Sequence, residues 1–246
     1  ATARWWESRS VPGPLIFLFK NFLAIGSLMK RFIKEKVDYK LYLVADYSSV
    51  NSIEEYLWKV EEAIIGGVTI VQIRIKNVST QEMLNIGSQL KKLTDKYSIP
   101  LIVNDRVDVA FALDADGVHL GEEDLPPKYA RDILGPHKIV GYSCDNPEVV
   151  KSIQKEGIVD YFGTGDVFGT KTKPDAGKII GIEGLKMVTS VSIIPVVAIG
   201  GITLNNVSLL RDTGIKGIAV VSSIMKSDNP REVAKRFREI LDEIIK

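Results

Sequence analysis

From Tyr39 onward the chain repeats one alternation eight times: a short apolar run rich in β-branched residues, then a longer stretch with helical spacing. The runs occupy 41–44, 69–73, 100–103, 117–120, 138–141, 159–162, 194–199 and 217–221. Runs of this length, apolar throughout rather than at every second position, suit strands covered on both faces, as in a parallel sheet. Between them, Ile53, Leu57, Val60 and Ile64 recur at spacings of three and four, as do Met83, Ile86, Leu90 and Leu93, and later Val233, Phe237, Ile240 and Ile244. That period predicts amphipathic helices. Glycines at Gly66-Gly67, Gly157 and Gly214 stand where helices would have to end in a left-handed residue.

Eight strands and eight strand-to-helix passages point to an α/β chain closed as a (β/α)8 (TIM) barrel. The length of 246 residues suits it, since such a barrel uses about 250. A doubly wound open sheet would carry a glycine-rich fingerprint after its first strand. Asp46-Tyr47-Ser48-Ser49 has no glycine there. The expected division is an N-terminal extension over 1–38 and the barrel over 39–246.

A barrel brings the loops after its strands to one mouth, so polar residues far apart in sequence can be tested as one site. After the second strand, period two places Gln72, Arg74 and Lys76 on one face. A guanidinium with an ammonium beside it suits a polyanion. After the third strand comes Asn104-Asp105-Arg106, and after the fourth Gly121-Glu122-Glu123-Asp124. Asp105 with one of Glu122, Glu123 or Asp124 could hold a hard divalent cation, Mg²⁺ taking one or two carboxylates and completing its shell with water and phosphate oxygens. His119, on the fourth strand itself, reads as a packed, hydrogen-bonded residue, and Cys144 as structural for want of a nearby base.

The stretch 163–173, rich in glycine, hydroxyls and lysine, reads as a mobile flap offering donors to phosphate. Gly200-Gly201 after the seventh strand, and the short extra helical segment Ile224-Met225-Lys226 following Ser222-Ser223 at the end of the eighth, match the recurrent phosphate site of such barrels. The mouth therefore offers two anion sites of unequal charge, suited to joining a phosphorylated molecule to one activated by pyrophosphate.

Composition narrows the partners. A net charge of +1 gives no basic surface for nucleic acid. The lone Cys144 fits a reducing, cytoplasmic compartment, and with only His119 and His137 no zinc-type spacing arises. Residues 1–38 are the exception: an apolar run over 15–29 broken by Lys20 and Asn21, with no acidic residue between Glu7 and Glu35. The run is shorter than the ~20 residues that span a bilayer, and reads as an appendage or an interfacial segment. The expected partners are small phosphorylated substrates, with no nucleic acid, no membrane beyond that unexplained segment, and room for a homo-oligomer.

From about Lys40 to the C-terminus the sequence resembles the thiamine-phosphate synthase (thiamine-phosphate pyrophosphorylase) family. The resemblance is carried by Gln72-Ile-Arg-Ile-Lys76, Val103-Asn-Asp105, Asp116-Gly-Val-His-Leu-Gly-Glu-Glu-Asp124, Thr170-Lys-Thr-Lys173 and Ile199-Gly-Gly-Ile202. It implies Mg²⁺-dependent coupling of 4-amino-2-methyl-5-pyrimidinylmethyl diphosphate with 4-methyl-5-(2-phosphoethyl)thiazole or its carboxylate, giving thiamine phosphate and pyrophosphate by a dissociative route. It implies Gln72, Arg74, Lys76 and Asn104 on the pyrimidine diphosphate, Asp105 and Asp124 on the metal, Ser143 near the pyrimidine, and Lys173 on the pyrophosphate. Thr170, Thr172, Gly201, Val221 and Ser222 would hold the thiazole phosphate. Arg74, Lys76, Ser143 and Lys173 are the residues implied in catalysis.

Two departures stand out: Phe168-Gly169-Thr170 where the family commonly has aromatic-proline-threonine, and Cys144-Asp145 where a histidine often takes the second place. The rival readings are a related thiazole tautomerase and another phosphate-barrel isomerase. The first would lack the full Gln-Arg-Lys set and the metal pair. The second needs an acid/base pair at two strand ends, and the first strand offers only Asp46.

Overall fold

A computed structural model describes residues 34–170 and 178–245. The expectations for Thr172 and Lys173, and for residues 1–33, lie outside the described residues. Eight strands form a closed, all-parallel barrel in chain order. They are β1 (Leu41–Asp46), β2 (Ile70–Arg74), β3 (Leu101–Asn104), β4 (Gly117–Leu120), β5 (Ile139–Ser143), β6 (Tyr161–Thr164), β7 (Val196–Ile199) and β8 (Gly217–Val220). The helices are α1 (Ile53–Ile65), α2 (Thr80–Lys96), α3 (Val107–Ala112), α4 (Pro127–Leu134), α5 (Pro147–Gln154), α6 (Gly181–Thr189), α7 (Ser222–Met225) and α8 (Pro230–Ile244). Among the described residues no helix is long and apolar enough to cross a membrane.

Strand parity divides the core into two. In β1, Leu41, Leu43 and Ala45 join the layer between strands and helices, while Tyr42 and Val44 join a separate cluster with Ile70, Ile102, Ile139 and Val197. The second cluster fills the barrel, as alternation of side chains requires. Continuing that parity toward the strand C-termini turns Asp46, Gln72, Arg74, Asn104, His119 and Ser143 inward, so the barrel is apolar at its lower end and polar at its mouth. Val37, within the sequence-stretch counted as extension, packs on the inner cluster. Lys34 Nζ lies 2.9 Å from Asp160.

The helices begin and end where the sequence offers caps. Ser52 Oγ accepts from Glu55 N at the start of α1, and Gly67 leaves the helix at φ +117°. The helix buries Tyr56, Val60, Ala63 and Ile64. Where the barrel closes, α1 packs against α8, and a Cβ on Gly66 would lie 2.3 Å from Arg231 O, so only glycine permits that approach.

One passage departs from expectation. The seventh strand is followed by a 3₁₀ turn, Val207–Leu210, and not by an α-helix. Asn206 holds this turn in place: its Oδ1 accepts from Thr203 N (2.8 Å) and its Nδ2 donates to Gly201 O (2.9 Å). The side chain thereby ties the turn to the loop after β7.

At the opposite end of the barrel, Asp116 Oδ2 accepts from Leu101 N (2.9 Å). Burial pushes this carboxyl up from its ordinary value, outweighing that hydrogen bond and the more distant Lys91 and Lys138. A carboxyl raised in the folded state binds its proton more tightly there than when unfolded. Its stabilising share is therefore full below the ordinary carboxylate range and is lost as pH rises through the folded value. Asp116→Asn keeps an acceptor for Leu101 and removes the titration. Its stability relative to wild type is expected to increase between about pH 4 and neutrality, measured as urea midpoints. A difference independent of pH would remove Asp116 from this role.

Candidate active site

At the C-terminal ends of the strands a cleft of about 480 Å³ opens. It draws Arg74 and Lys76 from the end of β2, Asn104 and Asp105 from β3, His119 and Asp124 from β4, Ser143 and Asp145 from β5, Asp166 and Thr170 from β6, and Gly200 from β7. Seven of the site residues that the resemblance implies thus share one cavity: Arg74, Lys76, Asn104, Asp105, Asp124, Ser143 and Thr170. Gln72 is buried deeper in the barrel, its Nε2 donating to the Tyr42 hydroxyl (2.8 Å), and does not line the cleft. Gly201, Val221 and Ser222 are half-buried beside it and are not among its lining residues.

The cationic wall rests on β1. Arg74 Nη1 donates to Asp46 Oδ2, and both side chains are nearly buried. Asp46 is itself held, its Oδ1 accepting from Ser48 N (2.9 Å) and Ser48 Oγ (2.6 Å). Arg74 Nε, also buried, has no hydrogen-bond partner among the described residues. Buried donors are nearly always matched, so an unmet one in a residue lining a cleft favours an anionic ligand. Lys76 Nζ lies 2.5 Å from Asp105 Oδ2.

Opposite the cations stand the carboxylates. Asp105 has φ +64°, a left-handed conformation that aspartate and asparagine tolerate better than most residues. This turn aims its carboxyl along the mouth toward β4. Burial raises its pKa, but the Lys76 ammonium and a hydrogen bond from Asp124 outweigh it, and the net shift is downward. Asp124 moves the other way: burial and the neighbouring Asp105 raise it, with the Gly121 N–H (2.7 Å to Oδ2) offsetting part. Of the three acidic residues after β4 it is Asp124 that meets Asp105, while Glu122 and Glu123 are exposed on the rim.

Two adjoining carboxyls, one of them raised by burial and by the charge of the other, suit a hard dication that would relieve their repulsion. Among the described residues no group of three His, Cys, Asp or Glu could hold a metal. Two carboxylates at an open cleft are a donor set that a hard cation could use if it left much of its shell to water and ligand oxygens.

The far wall depends on Asp166, which sequence reasoning passed over. Its Oδ1 accepts from Gly169 N (2.9 Å) and its Oδ2 from Thr170 N (2.6 Å), which fixes the base of the flap. A Cβ on Gly200 (φ +107°) would fall 2.0 Å from Asp166 Oδ1, and one on Gly201 (φ +62°) 2.2 Å from Gly169 O. The paired glycines are thus where the β6 and β7 loops interlock. An aspartate three residues before a glycine in a polar loop was the available signal. Cys144, read from the sequence as structural, is buried with its thiol pushed up by burial and its Sγ 3.6 Å from Asn146 O, and it also lines the cleft.

A closed (β/α)8 barrel with cations, paired carboxylates and a glycine-braced flap at one mouth defines an enzyme class that works on small phosphorylated molecules. Comparison with known proteins narrows the class. Residues 41–224 match the family model described as thiamine monophosphate synthase. The chain is 45% identical over 206 residues to the thiamine-phosphate synthase of Clostridium novyi, covering 83% of this chain and 99% of that one. It is 47% identical over 211 residues to that of Ruminiclostridium cellulolyticum, covering 85% and 98%. The solved thiamine phosphate pyrophosphorylase of Pyrococcus furiosus superposes with a TM-score of 0.77 at 42% identity, covering 85% of this chain and 98% of that one. The chain belongs to the thiamine monophosphate synthase family, transferases of thiamine biosynthesis.

Proposed function

We propose that the barrel joins 4-amino-2-methyl-5-pyrimidinylmethyl diphosphate to 4-methyl-5-(2-phosphoethyl)thiazole or its carboxylate, releasing pyrophosphate. The observation that carries this is the meeting of Arg74 and Lys76 with the Asp105–Asp124 pair at one side of a single cleft. Arg74, braced by Asp46, and Lys76 would grip the diphosphate, with Asn104 beside them. Asp105 and Asp124 would hold Mg²⁺, which when bound supplies positive charge to the departing pyrophosphate. Gln72, one layer down, would act on the pyrimidine diphosphate through the floor.

In the dissociative route the bond from the methylene carbon to the diphosphate oxygen breaks first, and its electron pair leaves with pyrophosphate. The thiazole nitrogen then gives its lone pair to the electron-poor methylene. No side chain need remove a proton from the reacting atoms; the residues bind the charge that develops on the leaving group and hold the partners in line. Ser143 would face the pyrimidine, Lys173 would stabilise the pyrophosphate, and Thr170, Thr172, Gly201, Val221 and Ser222 would hold the thiazole phosphate. Residues 39–246 would then form the catalytic barrel and residues 1–38 an appendage to it, in a reducing, cytoplasmic setting.

The test is pyrophosphate release by the purified chain. Release is expected only with both substrates and Mg²⁺ together. Release from the pyrimidine diphosphate alone at the same rate would make it a diphosphatase. Isomerisation of the thiazole carboxylate phosphate without pyrophosphate would make it a tautomerase.

A further inference from the structure

Below the cleft a line of polar side chains crosses the barrel. Gln72 Nε2 donates to the Tyr42 hydroxyl (2.8 Å), Tyr42 meets the Tyr161 hydroxyl (2.7 Å), and Tyr161 meets His119 Nδ1 (2.9 Å). His119 Nε2 then meets Ser143 Oγ (2.8 Å), and both His119 and Ser143 line the cleft. The members come from β2, β1, β6, β4 and β5. The barrel is shaped around them. A Cβ on Gly141 would fall 2.2 Å from the Tyr161 ring, and one on Gly163 would fall 2.9 Å from His119 Cε1. The His119 and Tyr161 rings stack with centroids 5.4 Å apart.

Counting protons gives the line a direction. Tyr42 already accepts from Gln72, so its single proton goes to Tyr161. Tyr161 then gives its own proton to Nδ1. A neutral imidazole that accepts at Nδ1 carries its hydrogen on Nε2, and that hydrogen is donated to Ser143 Oγ. The serine oxygen is an acceptor inside the protein, and its own proton is left for the cleft. Run the other way, the line would aim two donors at Tyr42 and strand that phenol's proton in a fully buried site. An unmet buried donor costs enough to set the direction. Burial raises the pKa of both phenols, so both keep their protons at neutral pH.

We infer that His119, fixed in its Nε2–H tautomer by Gln72, Tyr42 and Tyr161, is a positioning residue that turns the Ser143 hydroxyl proton into the cleft, so that Ser143 offers the ligand a donor, matched by a hydrogen-bond acceptor such as an unprotonated ring nitrogen. The proposed function enters only in assigning that acceptor to the aminopyrimidine.

The direct test is the ¹⁵N spectrum of histidine-labelled full-length chain, which holds only His119 and His137. A His137→Gln sample assigns the pair. His119 is expected as the neutral Nε2–H tautomer, and Tyr161→Phe is expected to release it from that state. An Nδ1–H tautomer in the wild type, or an unchanged tautomer in Tyr161→Phe, would overturn the inference. Kinetics give a second reading. Tyr161→Phe should lower kcat/KM for the pyrimidine diphosphate about tenfold, leave KM for the thiazole phosphate unchanged, and add nothing once Ser143→Ala is present. Losses that multiply in the double variant would show that Tyr161 acts by another path. Absence of coupling in the wild type would sink the proposed function while the tautomer result stood on its own.

Discussion

Asparagine in place of Asp105 is expected to slow coupling roughly 1,000-fold, the upper range for loss of one group that stabilises charge at a transition state. The unfolding midpoint should barely move. Residue 105 sits at φ +64°, and asparagine accepts that conformation, whereas alanine would add about 1–2 kcal/mol of left-handed strain. The Lys76–Asp105 pair that would be lost is partly exposed, and such pairs contribute at most about 1 kcal/mol. Asp124 would also be freed from the neighbouring charge that raises it. What would disappear is one of the two carboxylates proposed to hold Mg²⁺, and an amide oxygen would replace it poorly. Steady-state rates across a Mg²⁺ titration, beside thermal melts, check both halves. A rate within tenfold of wild type at every Mg²⁺ concentration would take Asp105 out of the metal site.

The barrel was legible because its signal is local and repeated. Runs such as Leu41-Tyr42-Leu43-Val44 and Leu101-Ile102-Val103 are apolar on both faces, and the helix at 230–244 announces itself by Val233, Phe237 and Ile240 after a proline start. The mouth was partly legible for the same reason. A residue just past a strand must lie there, and period two put Arg74 and Lys76 together. Less visible were features made by contacts between distant segments. Tyr42 and Tyr161 lie 119 positions apart and look like ordinary core aromatics, and only their inward parity and the bare positions Gly141 and Gly163 hint that they share a line with His119. The expectation that His119 is packed and hydrogen-bonded agrees with the hydrogen bonds at both of its ring nitrogens, yet its place on the cleft wall came from the fold. The 3₁₀ turn in place of a helix after the seventh strand is tied down by Asn206, whose hydrogen bonds to Thr203 and Gly201 have no period to detect.

Arg74 is where fold and chemistry compete most directly, and methionine at that position is expected to damage both. The substitution leaves Asp46, 2% exposed, without its cation. Breaking a buried pair from one side costs about 3–5 kcal/mol, equivalent to a fall of roughly 6–20 °C in the unfolding midpoint for a chain of this size. A loss of activity in that variant alone would therefore say little about ligand binding. The companion Asp46→Asn change separates the two effects. Asparagine keeps Oδ1 for Ser48 N and Ser48 Oγ, and loses only the charge on the atom that faced Arg74. Arg74→Met/Asp46→Asn is thus expected to regain most of the lost midpoint, because a neutral amide can stay buried where a lone carboxylate cannot. Its kcat/KM for the pyrimidine diphosphate should stay down by roughly 100-fold or more, since no neutral side chain replaces a guanidinium on a diphosphate. Melting curves and kcat/KM measured on the same two preparations decide it. Recovery of activity along with stability would make Arg74 a brace for the barrel mouth and leave Lys76 as the cation that meets the substrate.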